Sequence, residues 1–375
     1  MALLNYGNPI RFEFGAVKHL PEALAKLGIV RPLIATDAGL RAAGLVERIV
    51  DTLDLPEPVC IYDATPANPT EDAVTEALAL YRSAGCDGVV CLGGGSPMDL
   101  GKAVALLALS GGPLDQYDPL KGGNKRVKEV APLIAIPTTA GTGSEASMGF
   151  LISMNDGRKL TFVNPQFLPK MSLCDPELTL GLSPLTTAAT GMDAITHCIE
   201  AILAPSDNPP ADGIGLDGLW RGWRHLRRAV EDGSDRQARW EMMMASTEGA
   251  LAFVKGLGAV HSMSHAAGRL KSLRLHHGTL NAVILPAVLR FNERACARPY
   301  VRIRQAMGLP EGADLAREIE RMNAAIGLPK GLAAMGLSAD LIDDMLPHAV
   351  ADLSTRTNAR PIGAEDYAML FREAM

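Results

Sequence analysis

Residues 86–109 read CDGVVCLGGGSPMDLGKAVALLAL, and this run decides the fold of the first half of the chain. Its apolar, β-branched start predicts a buried strand, which three glycines interrupt before a helical run begins. Glycines in a strand-to-helix turn let the backbone approach a diphosphate, and the N-terminus of the following helix supplies free N–H groups and positive potential. We therefore expect Gly94, Gly95 and Ser96 to face the phosphates of a nucleotide.

Read alone, this turn is also compatible with a simple tight connection, because its glycine spacing is neither GxGxxG nor a P-loop. A second polar turn, PTTAGTGSEAS at residues 137–147, follows another predicted strand and offers the hydroxyls of Thr138, Thr139, Thr142 and Ser144 to a nucleotide. Asp37 ends an earlier predicted strand, where a carboxylate can accept both ribose hydroxyls and repel a 2′-phosphate. A role as N-cap of the following helix is an equal alternative for Asp37.

The wider pattern places these turns in an α/β domain. Up to about residue 180, short β-branched apolar runs alternate with helical runs, which is typical of a parallel sheet covered by helices. Beyond that point the strand signals fade, and Pro and Gly separate helical segments. Since 375 residues suit two domains, we expect a nucleotide-binding α/β domain at residues 1–180 and an all-helical metal and substrate domain at residues 181–375.

The helical half carries a carboxylate and several imidazoles at helical spacing. Asp193 and His197 stand four apart in GMDAITHCIE, so both side chains leave one face of a helix. His261 and His265 repeat that spacing, and a third imidazole comes from one of the two histidines of HHG at residues 276–278. A single pair of such side chains four residues apart more often belongs to a hydrogen-bonded core than to a metal site. Two such pairs followed by HHG favour a metal site. One carboxylate and three imidazoles suit Fe(II), Zn(II) or Mn(II).

Composition excludes other classes of function. The chain is 47% hydrophobic and 21% charged, and its formal net charge of −6 argues against a nucleic-acid partner. It has no run of eighteen apolar residues and starts with MALLNYGNPIRFEFG, which lacks the basic start and apolar core of a signal peptide. We expect no membrane association and a cytoplasmic enzyme. The six cysteines show no CxxC spacing and are expected to be reduced thiols.

With these elements in place, the chain resembles the iron-containing, or group III, alcohol dehydrogenases over nearly its whole length. GGGSPMDLGK is similar to the GGGSxxDxxK motif of that family, PTTAGTGSE to its second cofactor loop and CDPELTLGLSP to its hinge. GMDAITHCIE, GAVHSMSHAAG and HHGTLNAVILP are similar to its metal segments, in the same order. The resemblance implies a nucleotide-binding α/β domain followed by an all-helical domain, and reversible hydride transfer between a small primary alcohol or aldehyde and NAD(H).

Carried over by position, the resemblance assigns roles to individual residues. The metal ligands are Asp193, His197, His261 and His277, the last because the family's ligand directly precedes a glycine. His265 falls on a non-ligand histidine near the nicotinamide that could relay the released proton. The positions similar to dinucleotide contacts are Asp37, Asn68, Gly95, Ser96, Asp99, Thr138, Thr139, Thr142 and Lys159. The implied cofactors are Fe(II), with Zn(II) as the alternative, and NAD in preference to NADP.

Other enzymes of the same fold remain as alternatives. Maleylacetate reductases need no metal, and hydroxy-acid dehydrogenases act on charged substrates. Sugar-phosphate cyclases use NAD transiently. The intact ligand set argues against the first of these and the cofactor loops argue against the last, while a non-catalytic NAD- or metal-binding protein is a further class. We expect a small-molecule alcohol or aldehyde as substrate and a homodimer or higher homo-oligomer.

Overall fold

The computed structural model describes residues 7–53, 55 and 57–375. Two compact units can be distinguished in it. Residues 7–139 and 144–179 form one of them, called the α/β unit below. The other is called the helical unit and contains residues 140–143 and 180–375.

The α/β unit is built on parallel strands. Its strands are β1 (Ile10–Phe12), β2 (Pro32–Ala35), β3 (Cys60–Tyr62), β4 (Gly88–Gly93), β5 (Leu133–Pro137), β6 (Gly149–Ser153), β7 (Lys159–Val163) and β8 (Met171–Cys174). Its helices are α1 (Leu20–Leu27), α2 (Ala38–Ala42), α3 (Leu45–Val50), α4 (Glu71–Ser83) and α5 (Gly95–Ser110). Six strands pair in parallel in the order β1-β8-β5-β4-β2-β3, and β6 and β7 form a separate antiparallel hairpin.

The two faces of the sheet are both covered. Val89 and Cys91 of β4 belong to an apolar cluster with α4 and α5, whereas Val90 and Leu92 belong to one with α1 and α3. Neighbouring side chains in a strand point to opposite faces, so a strand buried on both faces must be apolar throughout. A Cβ on Gly101 would lie 2.4 Å from Cys91 Sγ, so this glycine lets α5 pack closely on β4.

The helical unit contains nine α-helices among the residues that the structure describes. They are α6 (Pro184–Leu203), α7 (Pro209–Glu231), α8 (Arg236–Ala252), α9 (Ala259–Ala267), α10 (His277–Asn292), α11 (Ala297–Met307), α12 (Leu315–Ala325), α13 (Ile342–Ala351) and α14 (Ala364–Glu373). Ser183 followed by Pro184 predicts an N-cap, and Ser183 does cap α6, since its hydroxyl accepts a hydrogen bond from the Thr186 N–H at 3.1 Å. Residues 187–203 of α6 are all buried, so this helix forms the centre of the unit.

The predicted order of a parallel α/β sheet followed by helices is confirmed, but some boundaries differ. The sequence pattern predicts a single helix from about Leu40 to Leu53, but the structure divides it into α2 and α3, because Gly44 adopts a left-handed conformation. Helical spacing also predicts a continuous pattern from residue 241 to residue 270, but the chain is interrupted at Gly256, which has a φ of 113°. The glycine of HHG, Gly278, is expected from its type to end a preceding segment, but it lies in the first turn of α10, which begins at His277. No helix in the described part of the chain is long and apolar enough to cross a membrane.

Candidate metal and cofactor sites

Four of the predicted ligands meet in the helical unit. Asp193 and His197 lie one turn apart on α6, His261 lies on α9, and His277 begins α10. Asp193 Oδ1 lies 3.8 Å from His197 Nε2, 3.9 Å from His261 Nε2 and 3.7 Å from His277 Nε2. Donor atoms that bind one ion at about 2.0–2.2 Å are roughly 3–4 Å apart. The donor atoms of Asp193, His197 and His261 all lie within 4.8 Å of one another, which suits one metal ion, and His277 Nε2 adjoins this group beside Asp193.

The ring nitrogens that face away from Asp193 have partners of their own. His197 Nδ1 donates to the Gly141 carbonyl at 3.2 Å. His261 Nδ1 donates to Glu200 Oε2 at 2.6 Å, and both of these side chains are buried. Because Nδ1 carries the proton in both rings, Nε2 keeps its lone pair in the neutral imidazole, as metal ligation requires. The carboxylate and the carbonyl thus set the orientation of two rings.

Asn281 was not among the predicted site residues, although it lies at the centre of the cluster. Its Nδ2 is 2.7 Å from Asp193 Oδ1, 3.2 Å from His261 Nε2 and 3.1 Å from His277 Nε2. His277 Nδ1 lies 3.3 Å from Ser264 Oγ. One amide group shared among three acceptor atoms, those of Asp193 and His261 being buried, leaves the cluster poor in donors, and a cation would complete it. Asn281 stands four residues after His277, so helical spacing could have identified it.

Burial and charge set the protonation of two ligands. Burial lowers the pKa of His197 to about 4, so this imidazole is neutral at pH 7. For His261, burial is the largest influence and lowers the pKa, but the hydrogen bond and charge of Glu200, together with the charge of Asp193, leave the pKa above its ordinary value. A proton therefore competes with a cation at His261 more strongly than at His197.

His265 lies one turn beyond His261 on α9 and has a different partner. Its Nδ1 lies 2.9 Å from Asp352 Oδ2, and the two side chains are only 8% and 6% exposed. The His265 ring stacks on the His277 ring, with centroids 5.4 Å apart and planes at 16°. His265 thus adjoins the ligand cluster, while its Nδ1 binds a separate carboxylate. Asp352 is 87 residues away in sequence, and no local spacing points to it.

In the α/β unit, three predicted cofactor residues contact one another. Asn68 has a positive φ of 64°, its N–H donates to Ser96 Oγ at 3.3 Å, and its Oδ1 accepts from Lys159 Nζ at 2.8 Å. Asp37 accepts a hydrogen bond from the Leu40 N–H at 3.0 Å, so the alternative N-cap role of Asp37 is present in the structure. That cap occupies Oδ1 only and is compatible with a second role for the carboxylate.

Asp99 binds groups of the protein chain. Its two oxygens accept from Ser144 Oγ and from the Leu151 N–H, both at 3.0 Å, and burial raises its pKa to about 6. Lys102, one helical turn later, was not predicted. Its Nζ donates to three carbonyls within residues 144–149, and burial lowers its pKa to about 8. The Asp and Lys of GGGSPMDLGK therefore bind the segment after the second loop to α5.

The two predicted phosphate loops meet at Gly94. A Cβ on Gly94 would lie 3.3 Å from Thr139 Oγ1, a buried hydroxyl with no hydrogen-bond partner among the residues that the structure describes. No side chain caps α5, whose first N–H groups follow Gly94. A free hydroxyl, a bare glycine and an uncapped helix N-terminus fit an anionic ligand. Thr138 lies in the α/β unit with Thr139, whereas Thr142 belongs to the helical unit, in the segment whose Gly141 carbonyl binds His197.

Comparisons with known proteins show which proteins the chain is similar to. Residues 8–176 match the family described as iron-containing alcohol dehydrogenase, and residues 187–375 match the C-terminal domain of the same family. The chain is 51% identical over 383 residues to 4-hydroxybutyrate dehydrogenase of Cupriavidus necator, covering 100% of both chains. It is 34% identical over 372 residues to NAD-dependent methanol dehydrogenase of Bacillus methanolicus, covering 96% of each. A crystal structure of 1,3-propanediol oxidoreductase superposes with a TM-score of 0.91 at 33% identity, covering 100% of both chains.

Proposed function

Because the chain belongs to the iron-containing alcohol dehydrogenase family, we propose that it transfers a hydride reversibly between the primary alcohol group of a short hydroxy acid and NAD. Family membership makes the chain an oxidoreductase. The observation that supports the proposed chemistry is the cluster of one carboxylate and three imidazoles on α6, α9 and α10, in which each imidazole Nε2 lies 3.7–3.9 Å from Asp193 Oδ1.

In this proposal, Asp193, His197, His261 and His277 hold Fe(II), with Zn(II) as the alternative. Such an ion, when bound, supplies Lewis acidity that favours the alkoxide form of an alcohol, and NAD supplies the hydride acceptor. The protein's own groups do the remaining work. Glu200 and the Gly141 carbonyl keep the ligand rings oriented, and His265 takes up the proton that the alcohol releases.

The residues proposed to hold NAD lie mainly in the α/β unit. Gly94, Gly95 and Ser96 at the N-terminus of α5 would receive the diphosphate, and the hydroxyls of Thr138, Thr139 and Thr142 would contact the dinucleotide. Asn68 and Lys159 are already paired with each other, and Asp99 holds the second loop in place. Asp37, at the end of β2, favours NAD over NADP because its charge repels a 2′-phosphate.

The substrate class rests on two observations. The relative that is identical at 51% of positions is named for 4-hydroxybutyrate, which carries a primary alcohol and a carboxylate. Residues 268–276, which connect α9 to α10, read GRLKSLRLH and contain three basic and no acidic residues. Arg274 is exposed, and its backbone is left-handed with a φ of 46°. Arginine suits a carboxylate through its planar pair of donors.

The test compares two four-carbon substrates, one of which carries a carboxylate where the other carries a second primary alcohol. The protein, purified anaerobically with Fe(II), is given NAD and either 4-hydroxybutyrate or 1,4-butanediol, and NADH formation is followed by absorbance. A higher kcat/KM for 4-hydroxybutyrate supports the proposal. A higher kcat/KM for the diol favours the second candidate, a dehydrogenase of uncharged primary alcohols, as the names of the 34% identical relatives suggest. No NADH from any alcohol would contradict both.

A further inference from the structure

The two histidines of α9 receive the same kind of partner from different parts of the helical unit. His261 Nδ1 contacts Glu200 of α6 at 2.6 Å, and His265 Nδ1 contacts Asp352, the residue after α13, at 2.9 Å. All four side chains are buried or nearly so. His261 faces Asp193 through Nε2, as a ligand would, and Glu200 is explained by that role. Asp352 needs a separate explanation.

We propose that Asp352 is a positioning residue, which holds His265 in the tautomer with the proton on Nδ1, so that Nε2 accepts the proton released by the alcohol. The inference rests on the proposed function, in which His265 takes up that proton. A neutral imidazole has one donor and one acceptor nitrogen, and the carboxylate can only accept. The contact between Asp352 and His265 therefore fixes which nitrogen is basic.

Asp352 is well placed for this role because its own orientation is fixed independently of His265. Its second oxygen, Oδ1, accepts from the Ser354 N–H at 2.8 Å, which caps the turn at Leu353–Thr357. In the same turn, Thr355 Oγ1 donates to the Ala349 carbonyl at 2.6 Å and lies 2.9 Å from Ser262 Oγ of α9. The turn is thereby tied to the helix that carries His265, and one carboxylate oxygen is left for the ring.

The proton transfer balances without any further reactant. The O–H bond of the alcohol breaks and an N–H bond forms at His265 Nε2, and NAD, when bound, would supply the acceptor for the hydride of the carbinol carbon, so that a carbonyl group results. His265 then carries a positive charge beside Asp352, which stays ionised. Burial, the largest influence, raises the pKa of Asp352, but the charge and hydrogen bond of His265 and the hydrogen bonds of Ser354 bring that pKa below its ordinary value.

Two matched substitutions test the inference, since each removes the charge of one carboxylate and keeps its shape. Asp352→Asn should keep wild-type metal content and KM, and lower kcat by about a hundredfold to ten-thousandfold, because an amide can donate to Nδ1 and so favour the wrong tautomer. Glu200→Gln, which acts on His261, should instead weaken metal binding by about tenfold to a hundredfold. Metal content by mass spectrometry and steady-state kinetics separate these two results.

A second measurement reports the tautomer itself and requires no turnover. In zinc-loaded protein labelled with 15N-histidine, the His265 signals, assigned with His265→Gln, should show Nδ1 protonated in the wild type and Nε2 protonated in Asp352→Asn. Asp352→Glu, which keeps the carboxylate, should retain the wild-type tautomer and part of kcat, and it serves if the Asn variant does not fold.

Three results would overturn the inference: an unchanged tautomer with wild-type kcat in Asp352→Asn, metal loss equal to that of Glu200→Gln, or a wild-type ring already protonated at Nε2. Failure of the proposed function would look different. In that case the wild type would yield no NADH from any alcohol, although its His265 spectrum showed the expected tautomer.

Discussion

The metal cluster of the helical unit and the phosphate loops of the α/β unit are built in different ways. In the cluster, side chains from three helices converge so that the Nε2 atoms of three histidines each lie 3.7–3.9 Å from Asp193 Oδ1. In the loops, the backbone and the absence of side chains matter, as at Gly94, where a Cβ would lie 3.3 Å from the Thr139 hydroxyl. The cluster depends on tertiary convergence, whereas each loop is a local turn.

This difference has an energetic consequence. Ligands of one ion act as a unit, so the loss of one of them affects everything that the ion does. Contacts to a dinucleotide are spread over many backbone and side-chain groups, so the loss of one group should change affinity or specificity and leave turnover largely intact. Substitutions in the two regions can therefore be ranked by expected effect.

The largest effect is expected for the ligands. His261→Ala and His277→Ala should each remove most of the metal and lower kcat/KM by about a thousandfold or more, because Lewis-acid stabilisation is worth several kcal/mol. Metal analysis measures the bound metal, and the rate of NADH formation gives kcat/KM. His225→Ala is the matched control, since His225 lies on α7 and bonds the Arg221 carbonyl of its own helix. Full metal content in either ligand variant would make that ligand assignment wrong.

His265→Ala distinguishes a proton carrier from a metal ligand within the cluster. We expect retained metal, turnover lowered by about a hundredfold to ten-thousandfold, and an altered pH profile of turnover, because a positioned proton carrier is lost. Bound metal and the pH dependence of kcat are measured on one preparation. Metal loss equal to that of His261→Ala would make His265 a ligand, and wild-type turnover at every pH would make it a packing residue.

Substitutions of Asp37 test the proposed preference of the α/β unit for NAD over NADP. Asp37→Gly should raise kcat/KM with NADP relative to NAD by about tenfold or more, since the charge that repels the 2′-phosphate is gone. Asp37→Asn is the sharper variant, because asparagine can still cap α2 while it removes the charge. The ratio of kcat/KM for the two cofactors and the thermal midpoint are compared. An unchanged ratio in both variants would leave Asp37 with its capping role alone.

The smallest effect is expected in the basic segment between α9 and α10. Arg274→Ala should raise KM for 4-hydroxybutyrate by about tenfold and leave the kinetics of 1,4-butanediol unchanged, because only the first substrate carries a carboxylate. Arg294→Ala, at another exposed arginine of the helical unit, controls for net charge. Equal effects of Arg274→Ala on both substrates would argue against a carboxylate contact at this residue.

Several features could be predicted because they are periodic or local. The spacing of four between Asp193 and His197, and between His261 and His265, places each pair on one helix face, as the structure has it in α6 and α9. The run of residues 86–109 folds into β4, a glycine turn and α5, as its pattern indicates. Residue types and periods act over a few residues, so a single sequence contains them in full.

Three further side chains that support the sites were not predicted, although their positions in the sequence indicate them. Glu200 lies within the GMDAITHCIE segment, three residues after His197, and Asn281 lies four after His277. Lys102 lies in GGGSPMDLGK, where its buried ammonium binds carbonyls of the following loop. These side chains act on ligands and loops through hydrogen bonds, and helical spacing could have placed them on the right faces.

The sequence by itself determined the order of an α/β half and a helical half, the glycine turn at a helix N-terminus, and the carboxylate and imidazoles at helical intervals. The hydrogen-bond partner of each of these groups became known only from the tertiary structure. The Gly141 carbonyl reaches His197 across 56 residues, and Asp352 reaches His265 across 87. A hydrogen-bond partner depends on how elements pack and turn toward each other, and that packing leaves no period in the chain.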